Sequence, residues 1–449
     1  MNIILLSGGA GKRLWPLSNN LRAKQFIKLL RSQDGQYESM VQRVHRQICE
    51  ANLDAHIIVA TSASQIESIR SQLGENVDIV VEPERRDTFP AIALAVVYLA
   101  MEKHIGPDEV ILVLPVDPYV EIGYFHTMIQ MERAVKDGVA DIVLMGISPL
   151  YPSEKYGYIV PAADIKMPEK GRACPVKQFI EKPSLEKARM LLDEGAKWNG
   201  GVFAFKMGYL LDIINRKFVF ESFDTFRSDY RKLKKISFDY EVVEKAESVA
   251  MVTYNGGWKD LGSWDVLSEE IGDITIGSVW AGEGTERTMI INETKVPMIV
   301  LGAKNMIVSA SPDGILVSDK RSSSYLKPYV EKLSGRPMHV VTEWGDYRIT
   351  DYVEYSDMTC SMTRHIFIKS GKHLKYHSHG SRNEIWTIVN GEGKVNVDGC
   401  IRIVNRGDVI YLTAGQKHAI YALDDVNLIE VHIGRIGDSD DTVDYKWVW

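Results

Sequence analysis

The chain opens on a short apolar run, Ile3 to Leu6, with no polar alternation, and the pattern returns at His56 to Thr61 and in "VDIVVEP", "EVILVLPVD" and "DIVLMGI". Such runs read as strands buried on both faces. Helical stretches stand among them, Met40 to Glu50 and "AIALAVVYLAMEK". The alternation predicts an α/β fold: a Rossmann-like N-terminal region with a mixed, mainly parallel sheet, whose ligands sit at the carboxyl ends of strands. From about Asp141 onward the pattern shifts to strands punctuated by Gly or Pro: Tyr156 to Pro161, Val176 to Pro183 and Lys197 to Phe205.

Gly277 to about Ser334 carries short strands and no helical period until "SYLKPYVEKL", which predicts a small β-rich connecting region closed by a helix. The last hundred or so residues repeat strand and glycine turn at short spacing ("RHIFIKSG", "EIWTIVNGEGKVNVDG", "IRIVNRGDVIYLTAG", "KHAIYAL", "NLIEVHIG"), the pattern of a β-barrel or sandwich. The expected division is residues 1–270, 271–335 and 336–449.

Composition changes this picture little. With 449 residues, 45% hydrophobic and 25% charged, the chain has material for two or three globular domains. No stretch approaches a membrane span, and the first strand begins at Asn2 with no signal-peptide core ahead of it, so no membrane partner and a cytoplasmic location are expected. Cys49, Cys174, Cys360 and Cys400 lack metal-type or redox-type spacing and are expected to be reduced thiols buried as small apolar residues. A net charge of −7 opposes nucleic acid as a partner but leaves room for a nucleotide site built from a few cations and a metal ion. Oligomeric state is open, a homo-oligomer included.

The densest chemistry follows the first strand. Gly8, Gly9 and Gly11 let backbone N–H groups approach phosphate oxygens; Arg13 then supplies a forked donor and Lys24 a point charge. The spacing fits neither common phosphate loop, because Lys12 is followed by Arg13 rather than Ser or Thr and the dinucleotide glycine pattern is missing. Asp117 stands directly after an apolar strand. Asp87 or Thr88 caps the helix that follows "EPERRD", and Asp239, just before "YEVVEK", reads as an N-cap. Gly157, Glu181, Asn199 and Gly200 offer donors and acceptors of the kind a sugar needs.

"LLSGGAGKRLWPLS…KQF" resembles the signature of nucleotidyltransferases that join a sugar 1-phosphate to a nucleoside triphosphate. Trp-Pro-Leu-Ser with Lys-Gln-Phe points to the mannose-1-phosphate guanylyltransferase branch, with Ala23 where that family usually has Pro. "EPERRDTFPAI", "LPVDP", "YGYI…EKP…WNGG" and "GWKDLGSW" continue the resemblance over essentially the whole chain. It implies that GTP and mannose 1-phosphate are the substrates and that Arg13, Lys24 and Asp117 act in catalysis. It further implies nucleotide contacts from Gly8, Gly9, Gly11, Glu82, Arg86, Asp87 and Pro115, sugar-phosphate contacts from Gly157, Glu181, Lys182, Asn199 and Asp239, and Mg²⁺ held by Asp117 and Asp260. Asp87 replaces the usual Asn, and Pro118 a usual His, so a different base or sugar is the nearest alternative. A non-catalytic sugar-nucleotide sensor is another; it would be expected to lose Arg13, Lys24 or a metal aspartate, all of which are present.

Gly371, His377, His379, Glu384 and Gly391, then Gly407, Gly415 and His418, resemble the two cupin motifs. His377, His379, Glu384 and His418 on neighbouring strands can point inward and bind Zn²⁺, Fe²⁺ or Mn²⁺. Guanylyltransferases with such a cupin can also carry mannose-6-phosphate isomerase activity, whose Arg-x-Glu-His-Trp signature appears here as Arg382-Asn383-Glu384-Ile385-Trp386. The missing His leaves a structural or regulatory barrel as the rival reading.

Overall fold

A computed structural model describes residues 1–9, 12–162, 172–272, 274–333, 335–435 and 441–449. The chain divides into two compact units: Met1–Ala10 with Gln25–Leu267, and Gly11–Lys24 with Ser268–Trp449.

The first unit is built on a nine-stranded mixed sheet in the order Asp78–Glu82, His56–Ser62, Asn2–Leu6, Val110–Pro115, Lys197–Lys206, Ile142–Ile147, Val249–Tyr254, Cys174–Ile180, Tyr158–Pro161. The first four strands run parallel, as do Ile142–Ile147 and Val249–Tyr254. Lys197–Lys206 runs antiparallel to both of its neighbours and breaks register between Asn199 and Phe203, where Gly201 adopts φ 68°. That bulge turns the Asn199 region out of the regular ladder. Helix Thr88–Met101 is apolar almost all round and buried against the sheet, with Phe89, Ile92, Leu94, Val96 and Leu99 at 5% exposure or less. The apolar run at its start also explains why its N-terminus needs the polar turn ahead of it. Helices Ile122–Lys136, Leu185–Asp193 and Met207–Asn215 complete the covering layers; their mixed polarity gave no distinct signal in the sequence.

The second unit begins with short parallel strands that alternate between two sheets: Thr275–Gly277, Met289–Asn292 and Met306–Ser311 in one, Val279–Ala281 and Met298–Val300 in the other. Gly314–Asp319 closes the larger sheet antiparallel, and a single helical turn, Lys327–Val330, follows. Beyond it lie two antiparallel sheets of six and five strands. Their facing side chains, Ile366, Ile368, Trp386, Val395, Ile420 and Leu428 among them, form a buried core. Strand Tyr376–His379 carries the first histidine pair, Arg382–Asn390 carries Glu384, and His418–Ala422 begins with His418.

Two expectations need correction. All four cysteines are free, but only Cys174 is buried; Cys49 and Cys400 are exposed and Cys360 lies between. Their sequence neighbours explain this, since Cys49 sits on the outer face of helix Met40–Glu50 and Cys400 opens an edge strand. Asp239 is not an N-cap either. Ser237 caps that short helix by accepting a hydrogen bond from the Tyr240 N–H, leaving the Asp239 side chain for other partners. Among the described residues no helix is long and apolar enough to cross a membrane.

Candidate active site and metal centre

The start of the glycine loop is held by its carbonyls. Buried Gln25 donates from Nε2 to the Ser7 carbonyl at 2.9 Å, and Gln65 donates to the Gly9 carbonyl at 3.1 Å. The Ser7 N–H donates to the Ala60 carbonyl at 2.9 Å, extending the parallel ladder by one bond. The Gln of Lys-Gln-Phe is therefore a buried clamp on the loop, a role the sequence did not suggest. Gly8 lies over buried Glu82, whose Oε1 would sit 3.2 Å from a Cβ at that position. Glu82 accepts a hydrogen bond from the Tyr230 hydroxyl at 2.8 Å, and burial pushes its carboxyl above the ordinary range. Gly11 lies outside the described residues.

Asp87 caps helix Thr88–Met101 through the Thr88 N–H at 2.8 Å, from a left-handed backbone with φ 72°. It is exposed at the end of the loop that leaves strand Asp78–Glu82. Arg86 pairs with Glu84 and donates to the Leu233 carbonyl at 2.7 Å, so in this structure it braces the loop. Pro115 ends strand Val110–Pro115, two residues before Asp117. A two-stranded ribbon pairs Asp260 with Pro118, next in chain to Asp117. Arg13 and Lys24 belong to two single-turn helices of the other unit, Lys12–Leu14 and Lys24–Phe26, the second spanning the point where the chain passes between units.

The expected sugar-side residues converge. Asn199 donates from Nδ2 to Asp239 at 2.7 Å, its Oδ1 accepts from the Gly201 N–H at 3.0 Å, and its own N–H donates to the Gly157 carbonyl at 2.8 Å. Gly157 is closely approached: a Cβ there would meet Glu181 Oε2 at 2.4 Å and the Phe179 ring at 3.1 Å, so one of them would have to shift. Lys182, in a left-handed conformation with φ 45°, pairs with Glu181. Burial, with Glu181 nearby, pushes the Asp239 carboxyl up to about 6. The sequence missed an aromatic wall beside this cluster. Tyr156 stands 4.9 Å from Trp198 and 5.3 Å from Trp258, centroid to centroid, and Trp258 lies two residues before Asp260. The signal was present as an aromatic residue in each of "YGYI", "KWNGG" and "GWKD".

In the barrel, His377 and His418 are cross-strand partners, and the ring nitrogens of His377, His379 and His418 include a set within 4.8 Å of one another. Their outer nitrogens are engaged: His377 Nδ1 with the Lys375 carbonyl (2.7 Å), His418 Nδ1 with the Gln416 carbonyl (3.0 Å) and His379 Nδ1 with Thr442 Oγ1 (3.2 Å). A carbonyl can only accept, so Nδ1 of His377 and His418 carries a proton, and in the neutral ring it is Nε2 that has the lone pair. Arg382 donates to His379 Nε2 at 3.0 Å, which fixes the same tautomer; an ion there would replace that bond. Burial and the neighbouring rings push His377 down to about 4, keeping it neutral at pH 7. His418 Nε2 is buried and faces Glu384 Oε2 at 3.3 Å without a hydrogen bond. These donors fit a divalent ion.

Sequence reasoning missed Glu430, His432 and Arg364. Glu384 is paired across the strands with His432, and Trp386 with Glu430. His432 Nε2 lies 3.1 Å from Glu384 Oε1 and 2.7 Å from Glu430 Oε2, aligned for a hydrogen bond with neither. Arg364 donates to His432 Nδ1 at 3.3 Å. An arginine cannot accept, so Nε2 of neutral His432 holds the proton and offers no lone pair. The triad Glu384, Glu430 and His432 is close enough to suggest a second ion, but this tautomer opposes it. The overlooked signal was alternation in "VNLIEVH", which turns Val426, Leu428, Glu430 and His432 inward together.

A glycine loop at a strand's end, Asp117 after the neighbouring strand and a polar cluster beyond the bulge are features a nucleotidyltransferase would use, in a chain whose second unit ends in a cupin-like β-barrel. A family described as Nucleotidyl transferase matches residues 2–275, and one described as Mannose-6-phosphate isomerase C-terminal matches residues 332–446. Mannose-1-phosphate guanylyltransferase ManC of Salmonella typhimurium is 30% identical, over 99% of this chain and 97% of that protein. A mannose-1-phosphate guanylyltransferase of Escherichia coli is also 30% identical, over 98% and 96%. A solved structure from Thermus thermophilus, described as a mannose-1-phosphate geranyltransferase, superposes with a TM-score of 0.59 at 27% identity, over 74% of this chain and 99% of that one. The chain belongs to the mannose-1-phosphate guanylyltransferase family, and it is an enzyme of the nucleotidyltransferase class with a C-terminal isomerase-type domain.

Proposed function

We propose that the protein condenses GTP with mannose 1-phosphate to give GDP-mannose and pyrophosphate. The observation that carries this reading is the hydrogen-bonded cluster of Gly157, Asn199 and Asp239 with Glu181 beside it, in a chain whose relatives over nearly its full length carry that activity in their names. Asn199, Asp239 and Glu181 orient the sugar hydroxyls, and Lys182 receives the sugar phosphate. A phosphate oxygen of that group attacks the α-phosphorus in line, and pyrophosphate leaves. Charge builds on the α-phosphate and on the leaving diphosphate, where Arg13, Lys24 and the loop N–H groups act. Asp117 and Asp260 hold Mg²⁺, which supplies further charge neutralisation when bound. Asp87, at the nucleotide end, offers a carboxylate able to accept from the N–H edge of guanine. The reaction can be run in reverse as a test: GDP-mannose, pyrophosphate and Mg²⁺ should yield GTP, and failure to form it would refute the assignment.

The barrel supports a second reading, isomerisation of mannose 6-phosphate to fructose 6-phosphate around one Zn²⁺, Fe²⁺ or Mn²⁺ held by His377, His379, Glu384 and His418. It rests on the three histidine rings, whose nitrogens come within 4.8 Å of one another, beside Glu384. Metal-loaded protein that leaves mannose 6-phosphate untouched would assign the barrel a structural or regulatory role.

A further inference from the structure

The segment that carries Arg13 and Lys24 packs with the β-rich layer of the second unit, and its anchors are specific. Arg22 forms a two-pronged ion pair with Glu293, NH1 to Oε2 at 2.6 Å and NH2 to Oε1 at 2.7 Å. Both side chains are largely enclosed, at 12% and 20% exposure. Burial alone would raise the Glu293 carboxyl; the hydrogen bonds and charge of Arg22 outweigh it and hold it below its ordinary value. Asn19 donates to Asp313 at 2.8 Å while its Oδ1 accepts from the N–H groups of Leu21 and Arg22, folding the turn that brings Arg22 to Glu293. Asp313 is itself fixed by the Met338 N–H at 2.6 Å. Ser311 donates to the Pro16 carbonyl at 2.6 Å. The Trp15 ring lies so close to Gly314 that a Cβ there would come within 2.4 Å of it. Trp15, Pro16, Asn19 and Arg22 thus each meet one of Gly314, Ser311, Asp313 and Glu293.

We infer that Glu293, Asp313 and Ser311 are positioning residues for nucleotidyl transfer, fixing the conformation of the segment that carries Arg13 and Lys24. The inference rests on the proposed role of Arg13 and Lys24 and gives the connecting region a part in chemistry to which it contributes no reacting group. A bidentate Arg–carboxylate pair fixes direction as well as distance, and a displacement of about 1 Å at a reacting centre can cost on the order of a hundredfold in rate.

The test is a double-mutant cycle on the full chain, read as single-turnover rate with GTP, mannose 1-phosphate and Mg²⁺. Glu293→Gln should slow transfer by roughly tenfold or more, with the KM for mannose 1-phosphate changed less than about twofold. In a Lys24→Met background the same substitution should cost clearly less than it does alone, because one of the two groups it positions is gone. A general structural role would give additive losses, and additivity overturns the inference. Normal turnover of Glu293→Gln beside a crippled Lys24→Met also overturns it while leaving the proposed function standing. Normal turnover of Lys24→Met refutes the function on which it rests. Ser311→Ala, which removes one hydrogen bond and no charge, gives the same readout if Glu293→Gln fails to fold.

Discussion

Asp239→Asn isolates what the sugar cluster costs the fold. Asp239 accepts from Asn199 at 2.7 Å and lies near Glu181, and its carboxyl is pushed from an ordinary 3.8 up to about 6. The folded value lies above the unfolded one, so the folded state holds the proton more tightly. Stability linked to this group is full at acid pH and is lost as pH rises through 3.8 toward about 6. At about 1.4 kcal/mol per pH unit the loss is ~3 kcal/mol above pH 7, an upper value because Asp239 keeps some solvent exposure. Asparagine carries no charge, and its Oδ1 can still accept from Asn199. The variant should therefore gain stability over the wild type with rising pH, the gain growing by roughly 1.5 kcal/mol between pH 5 and pH 8. Urea unfolding at four pH values, followed through the transition of the first unit, measures the gain, and the KM for mannose 1-phosphate measured in parallel should rise. A gain that does not change with pH would show that the carboxylate is not held ionised at a cost. An unchanged KM would remove Asp239 from the sugar site.

Other substitutions separate the remaining parts. Gly157→Ala would drive a methyl into Glu181 and the Phe179 ring; steady-state kinetics should show the KM for sugar 1-phosphate raised by about tenfold or more with nucleotide affinity kept. Asp117→Ala and Asp260→Ala should each abolish most Mg²⁺-dependent turnover while leaving the unfolding midpoint within about 1 kcal/mol of wild type, and full activity in both would refute the metal assignment. Elemental analysis after loading with Zn²⁺ or Mn²⁺ should find one ion per barrel, lost in His418→Ala and retained in His432→Gln. Two ions per barrel would contradict the tautomer argument for His432.

Much of the fold was legible because its strands are continuous apolar runs whose ends coincide with polar turns, as at His56–Ser62 and Ile142–Ile147. Helices of mixed polarity, such as Leu185–Asp193, were not, since packing rather than pattern decides them. Within the sites, motif residues were readable as chemical types, but their partners were not. Gln25 clamps Ser7 only because strand and loop fold back together, Glu430 and Arg364 meet His432 across strands, and Arg22 finds Glu293 at a separation of 271 residues. Asp239 was misread as a cap because Ser237, two residues earlier, satisfies the same N-terminus better. Local sequence cannot distinguish a capping carboxylate from one held for a ligand when a competing serine is adjacent.

The most direct measurement of the central claim is pyrophosphate release by the purified chain with Mg²⁺, across GTP, ATP, CTP, UTP and dTTP, each with mannose, glucose and fucose 1-phosphates. Turnover confined to GTP with mannose 1-phosphate, and abolished in Lys24→Met, is the predicted result. Preference for another pair would contradict the assigned specificity, and silence across the whole matrix would contradict nucleotidyl transfer itself.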